Sequence, residues 1–475
     1  MEPTTQTHAD SFEPHTLISS LRAEELRMLA ERRGKLEDCD CKQGMFPNPG
    51  RRRVLFAAGT SLAAAAAGFF SRPAHSQPTH SLHEKPMESS PAKRAPSVSV
   101  PEDPTKVPGG PIENMSYGLR SPFETKTRQR GMSPNDFTAW SMTPLEASLG
   151  VVTPSGLHYE RYHNGVPAID PARHFLFVHG LVERPKKYSM TDLKRLPSVS
   201  RTHFIECDGN SVTEWRQATM KTVQFTHGLL SASEWTGVPF ATIAREVGLK
   251  AEAAWVLAEG SDGAVLSRSV PLDKLLRDGI LAYGQNGEAI RPEQGYPLRL
   301  LLPGWEGNIN VKWLRRLEVS DKPFMTREDT VANTALMPDG KARRFTFELD
   351  AKSVITFPSG EMKLPGAGFY EVTGLAWSGK GKVARVDIST DGGKTWGPAA
   401  LQDPILAMCT TRFRFPWFWD GTPAVLQSRC VDETGYIQPT RAALMAVRGV
   451  ASHYHNNGIQ SWAVARDGSV SNVWI

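Results

Sequence analysis

His203-Phe204-Ile205-Glu206-Cys207-Asp208-Gly209-Asn210-Ser211-Val212-Thr213-Glu214-Trp215 runs a short apolar strand into a single cysteine and then into a turn. Asp208-Gly209-Asn210 is a turn-forming cluster, so the strand stops there and Cys207 stands at its end, facing whatever the turn opens onto. Two readings follow. Cys207 can be a small apolar residue closing a strand, since free cysteine is among the most buried residue types. Alternatively its sulfur serves a ligand, and Arg, His and Lys positions on both sides of this stretch ask for an anionic one.

Upstream, His158-Tyr159-Glu160-Arg161-Tyr162-His163 precedes an Asn164-Gly165 turn, and strand alternation places Tyr159, Arg161 and His163 on one face. Such residues usually decorate a solvated edge, but an arginine fork among them suits a phosphate or another oxyanion. Phe175 to Val178 reads as a compact apolar strand. Downstream, Phe240, Ile243, Ala244 and Val247 recur at i, i+3, i+4 and i+7 after Pro239, which predicts an amphipathic helix stopped by Gly248. A second short helix starts at Pro271, with Leu272, Leu275 and Leu276 inward and Gly279 ending it. Asn286-Gly287 predicts a hairpin turn. Arg299 then interrupts the apolar run Leu298 to Leu302, and a buried arginine expects a carboxylate or a phosphate. Asn310-Val311-Lys312-Trp313 places Lys312 between apolar neighbours, where an exposed strand position is the plainer reading.

From about Lys341 the pattern becomes all-β. Ala384, Val386 and Ile388 point one way and Arg385, Asp387 and Ser389 the other, before an Asp391-Gly392-Gly393 turn. Repeated short strands with Gly and Pro turns read as a β-sandwich.

The chain has 475 residues, enough for two or three domains, and a formal charge of +5. No Lys/Arg block occurs in the C-terminal half, which argues against nucleic acid as a partner. Five cysteines, at 39, 41, 207, 409 and 430, are too few and scattered for a disulfide framework, and no role is assigned to Cys39, Cys41, Cys409 or Cys430. There is no Cys-x-x-Cys-His, so covalent haem is not expected in this chain. Arg51-Arg52-Arg53, an Ala-rich apolar run to Phe70 and Ala74-His75-Ser76 read as an export signal of the twin-arginine type with a small-residue cleavage site. That run is too short and diluted for a transmembrane anchor, so no membrane span is expected in the mature, periplasmic chain. Four segments are expected. Residues 1–76 are an N-terminal extension and signal peptide, and residues 77–110, rich in Pro and Ser, are a flexible arm. Residues 111–335 are a first folded domain and residues 336–475 a sandwich.

The Cys207 stretch, Gln294-Gly295-Tyr296-Pro297-Leu298-Arg299 and Val311-Lys312-Trp313 resemble the sulfite oxidase family of molybdopterin enzymes, in family order. Arg291 to Arg316 and Tyr454-His455-Asn456-Asn457 look like its sulfane dehydrogenase branch, the SoxC type. The resemblance implies an α+β fold, with a molybdopterin-binding domain followed by an immunoglobulin-like dimerisation domain. It implies that Cys207 ligates molybdenum, a soft thiolate suiting that metal. It also implies that Tyr159, Arg161, His163, Arg299, Asn310, Val311 and Lys312 hold the pterin and its phosphate. Arg161 and Arg448 would stabilise the substrate oxyanion. Departures from the animal pattern are Ser211 and Val212 where arginines follow the Cys-x-Gly-Asn, Leu266 for a tyrosine, Gln294 for a histidine and Thr242 for an aspartate. They point from free sulfite toward sulfane sulfur carried on a protein arm. The expected function is oxidation of reduced sulfur, with electrons passed to a c-type cytochrome and a homodimeric assembly. A periplasmic sulfoxide reductase, or a binding or adhesion module without cofactor, are the alternatives.

Overall fold

The computed structural model describes residues 117–133 and 135–475. The expected leader and arm lie outside the described residues. Two five-stranded sheets, one antiparallel and one mixed, build most of the first part, beside a three-stranded sheet of Gln129–Arg130, Ala139–Met142 and Glu160–Tyr162. In one, Ile280–Gln285 pairs antiparallel with Leu230–Pro239, which pairs antiparallel with Val199–Glu206, while Glu288–Ala289 and Arg299–Leu301 also join Ile280–Gln285. In the other, the order is Lys186–Ser189, Phe175–Gly180, Leu314–Ser320, Trp255–Gly260, Ser267–Pro271. Only Leu314–Ser320 with Phe175–Gly180 runs parallel. Both predicted helices form, at Phe240–Val247 and Leu272–Asp278. The hairpin turns on Asn286 and Gly287, both at positive φ, as a two-residue turn that matches strand twist requires.

The second part is the expected sandwich. Lys352–Phe357, Gly368–Trp377, Thr411–Trp419 and Ala400–Gln402 make one antiparallel sheet. Val383–Ser389, Ala424–Asp432, Ser461–Val464 and Val470–Val473, with Gly397–Pro398 on the edge, make the other. One apolar core spans both parts: Trp377, Val354, Leu375 and Trp462 of the sandwich pack in the same cluster as Leu145, Phe204, Val223, Leu230 and Ala232.

Three local expectations fail for tertiary reasons. Leu276 is exposed, and Lys274 is buried in its stead, donating to the Pro303 carbonyl at 2.7 Å and to Asp278 at 2.9 Å. Ala384 and Arg385 are both exposed, because the register with Ala424–Asp432 shifts between Val383 and Arg385. Lys312 lies on no strand; Trp313 takes a left-handed φ of 53° and the strand begins at Leu314.

Candidate active site

The parity of the strand Val199–Glu206 decides where each group goes, since successive side chains leave a strand on opposite faces. Phe204 enters the core shared with the sandwich, and Ile205 enters a separate cluster with Tyr159, Trp235 and Leu301. One step further, Glu206 follows Phe204 toward the sandwich and Cys207 follows Ile205 into a cavity of about 900 Å³. The turn is closed by hydrogen bonds. Cys207 N donates to Leu229 O at 3.0 Å, Asn210 N to Cys207 O at 2.9 Å, and Asn210 Nδ2 to Glu206 Oε1 and His227 O at 2.9 and 3.0 Å. Burial, and then the neighbouring Asp208, push the Cys207 thiol well above its ordinary value. Without a cation at the sulfur it stays protonated, whereas a bound metal would hold it as thiolate.

Of the residues expected at the site, the structure brings Tyr159, Arg161, His163, Cys207, Arg299, Asn310 and Lys312 to this cavity. Arg299 is buried, donates to the carbonyls of Gln294 (2.9 Å) and Asn310 (3.0 Å), and stacks over Trp235 at 4.9 Å. Burial lowers its pKa to about 10. Lys312 Nζ donates to the carbonyls of Arg161 (2.8 Å) and Glu293 (2.9 Å), and burial, with Arg299 beside it, draws its pKa down to about 7. Arg161 spends Nη1 on Tyr162 O at 2.7 Å and leaves Nε and Nη2 without partners among the described residues. None of these three cations makes a salt bridge among the described residues. A buried carbonyl solvates a cation but does not neutralise it, so these three groups are left able to pair with an anionic ligand. His163 is drawn down to about 4 by burial and then by Arg161, so it is neutral at physiological pH.

Two expectations are corrected. Val311 does not line the cavity: its side chain sits in the apolar core of the first domain, and its carbonyl accepts from Leu300 N at 2.8 Å. Arg448, at the end of the helix Arg441–Arg448, is bonded to Asp350 at 3.1 Å and is absent from the lining. The carboxylate claims the guanidinium before it can reach a substrate. Asn310 is present but its side chain is committed, since Oδ1 accepts from Leu302 N and Nδ2 donates to Trp305 O and Glu306 O. Among the pattern's departures, Ser211, Val212, Leu266 and Gln294 line the cavity, whereas Thr242 lies on the Phe240–Val247 helix and does not. Carboxylates line it too, at Glu160, Asp208, Asp262, Glu328 and Glu361.

Sequence reasoning missed His158, Asn308 and Tyr454. Tyr454 comes close enough to Cys207 that a Cβ on Gly209 would lie 3.7 Å from the sulfur and 4.0 Å from the tyrosine ring. Its place in the motif Tyr454-His455-Asn456-Asn457 was the available signal. His158 Nδ1 donates to Tyr159 O at 2.9 Å, which leaves Nε2 as a buried acceptor without a partner. Burial lowers its pKa to about 3, so the ring is neutral. Asn308 had no signal beyond its type.

These residues fit the molybdenum cofactor. The unpartnered polar atoms on lining residues include donors, Arg299 Nε and Asn308 Nδ2, and acceptors, His158 Nε2 and Asn308 Oδ1. A hydrogen-bonding heterocycle needs both kinds, and its phosphate needs uncompensated cations such as Arg299 and Lys312. One soft thiol, Cys207, is the only cysteine in the lining among the described residues. The buried group Asp208, Glu306 and His455 has a cluster-like geometry, but its oxygens are engaged by Arg268, His455 and Asn333.

Comparison with known proteins agrees. Residues 163–328 match the family described as "Oxidoreductase molybdopterin binding domain", and residues 343–462 match "Mo-co oxidoreductase dimerisation domain". The crystal structure of the sulfane dehydrogenase SoxCD from Paracoccus pantotrophus is similar, with a TM-score of 0.77 and 44% identity, covering 78% of this chain and 96% of that one. NADH nitrate reductases also match. That of Ulva prolifera is 31% identical over 281 residues, 53% of this chain and 32% of that protein; that of Solanum lycopersicum is 31% identical over 334 residues, 62% and 36%. The chain thus spans about a third of the length of the nitrate reductases it matches. With the fold, the cysteine-bearing cavity and both domain matches in agreement, the chain belongs to the sulfite oxidase family of molybdopterin oxidoreductases.

Proposed function

We propose that the protein is an exported molybdenum oxidoreductase that oxidises reduced sulfur, with sulfane sulfur on a carrier protein as substrate and a separate c-type cytochrome as electron acceptor. The observation that carries this reading is Cys207 in a cavity whose cations Arg161, Arg299 and Lys312 make no salt bridge among the described residues. When bound, the cofactor supplies the two-electron redox change and the oxygen transfer. Everything else falls to the chain. Cys207 would ligate the metal as thiolate. Arg299 and Lys312 would hold the phosphate, with His158 and Asn308 meeting the heterocycle. The free Nε and Nη2 of Arg161 would orient the substrate oxyanion and stabilise charge that develops on it.

Ser211 and Val212 in the cavity lining, where the animal pattern has arginines, favour a carried substrate over a small free anion. Similarity to SoxCD extends over 96% of that chain, while similarity to the nitrate reductases reaches only about a third of theirs. Export rests on Arg51–Arg53 and the apolar run behind them, and a homodimer on the domain at 343–462.

The test is metal content together with substrate choice. Protein made in a host that synthesises the cofactor should hold about one molybdenum per chain and scatter light as a dimer. It should oxidise thiosulfate-loaded carrier protein faster than sulfite, with a c-type cytochrome as acceptor. Nitrate reduction outrunning both would replace this reading with that of the plant-type relatives.

A further inference from the structure

Lys352 and Trp377 belong to the sandwich, yet their polar ends are spent on the first domain. They face each other across paired strands, Lys352 on Lys352–Phe357 and Trp377 on Gly368–Trp377. Lys352 Nζ donates to Glu206 Oε1 at 3.0 Å and reaches Asn210 O at 3.4 Å. Trp377 Nε1 donates to Glu206 Oε2 at 2.6 Å. Glu206 and Asn210 are the two ends of the turn that carries Cys207, so one ammonium ties both ends together. The same turn receives two more bonds from the C-terminal part: His455 N to Asp208 O at 2.8 Å and Asn456 Nδ2 to Ser211 O at 2.9 Å. Lys352 is 3% exposed and Glu206 2%, and the pair has no water to fall back on.

A buried ion pair is a poor way to gain stability, since desolvation offsets most of the attraction and apolar residues of like volume would serve as well. It does fix geometry: two charged groups in a dry interior have few alternative partners. Retaining such a pair directly under a ligand turn therefore calls for a role beyond packing. We propose that Lys352 is a positioning residue for the Cys207 sulfur, so that the C-terminal domain sets the geometry of the metal site as well as assembling the protein. The inference rests on the reading of Cys207 as metal ligand. Groups that orient a metal's ligand alter affinity or turnover by about ten- to a hundredfold when removed.

The test compares wild type with Lys352→Met/Glu206→Gln, in which the cation and its carboxylate go together and no buried charge is stranded. The glutamine carbonyl keeps an acceptor for one of the two remaining donors, Trp377 Nε1 or Asn210 Nδ2, and no charge is left buried. The expected result is a folded protein with the wild-type molybdenum content. The paramagnetic signal of its metal should differ from wild type, and kcat should fall about tenfold with KM unchanged. A wild-type signal and wild-type kcat overturn the proposal. Should the double variant not accumulate, Lys352→Met alone, with its metal signal compared with wild type, decides. Cys207→Ser separates the two ideas: a wild-type metal signal there sinks the ligand reading itself.

Discussion

At the scale of single residues, Lys312 shows what burial of a cation beside another does to a folded chain. Its ammonium rests on two carbonyls, and burial together with Arg299 lowers its pKa to about 7, against an ordinary value of about 10.4. Between those values the unfolded chain binds more protons than the folded one, so the stability of cofactor-free protein should rise with pH across that window. Thermal melts from pH 6.5 to 9 should show the rise in wild type and its loss in Lys312→Met. Parallel curves would mean that Lys312 keeps its charge without the cofactor. Arg448 makes the contrasting case. Its fork is held by Asp350, which Lys380 also binds at 2.8 Å, and it does not line the cavity. Arg448→Ala should therefore cost about 1–2 kcal/mol of stability and leave kcat/KM within about twofold of wild type. A loss of two powers of ten would restore the oxyanion role expected from the family resemblance.

At the scale of elements, the single helical turn Gly307–Ile309 lies directly against the Cys207 backbone. Gly307 allows it: a Cβ there would stand 2.6 Å from Tyr159 Oη, 2.9 Å from Glu206 O and 3.2 Å from Cys207 Cα. Two of those are rigid backbone atoms, so Gly307→Ala must push the turn and the ligand strand apart. Cofactor content and turnover should fall by about ten- to a hundredfold while the circular dichroism spectrum keeps its shape. Unchanged metal content would show that the turn can retreat. Such close approaches are invisible in sequence, where Gly307 reads as an ordinary loop glycine. The legible elements were those governed by local rules: the Phe240–Val247 helix by its apolar spacing, the Asn286-Gly287 hairpin by its backbone needs, the strand before Cys207 by its turn. Lys274 was illegible because its partner, the Pro303 carbonyl, arrives from another element. The bulge beside Arg385 was illegible because register is set by the neighbouring strand.

At the scale of the whole molecule, the site is assembled by chain segments that meet only after folding. Cys207, Arg161, Arg299 and Lys312 were placed at the site by the family resemblance; of the four, Arg299 alone, an arginine inside an apolar run, asked for a partner on its own. Tyr454 was not placed at the site, since its nearness to Cys207 comes from a return of the chain after more than two hundred residues. The same return overturns a modular view of the two domains. Phe204, Val223, Leu230, Ala232 and Leu145 bury their side chains in the cluster that holds Trp377, Val354 and Trp462, and Glu206 finds its cation in the sandwich. Cutting the chain after about Lys341 would expose those five side chains, at about 1.5–3 kcal/mol for each larger one. It would also strand a buried carboxylate, at about 3–5 kcal/mol. Together these rival the whole stability of an ordinary domain, about 5–15 kcal/mol. The truncated chain should then be insoluble or lack a cooperative melt, where reading the sandwich as a separable dimerisation module predicts a folded monomer. Expression of the truncated and full-length proteins side by side, followed by light scattering and thermal melts, decides the matter. A soluble monomer melting within a few degrees of the full chain would show that the shared core is dispensable, and that the sandwich only assembles what the first domain folds alone.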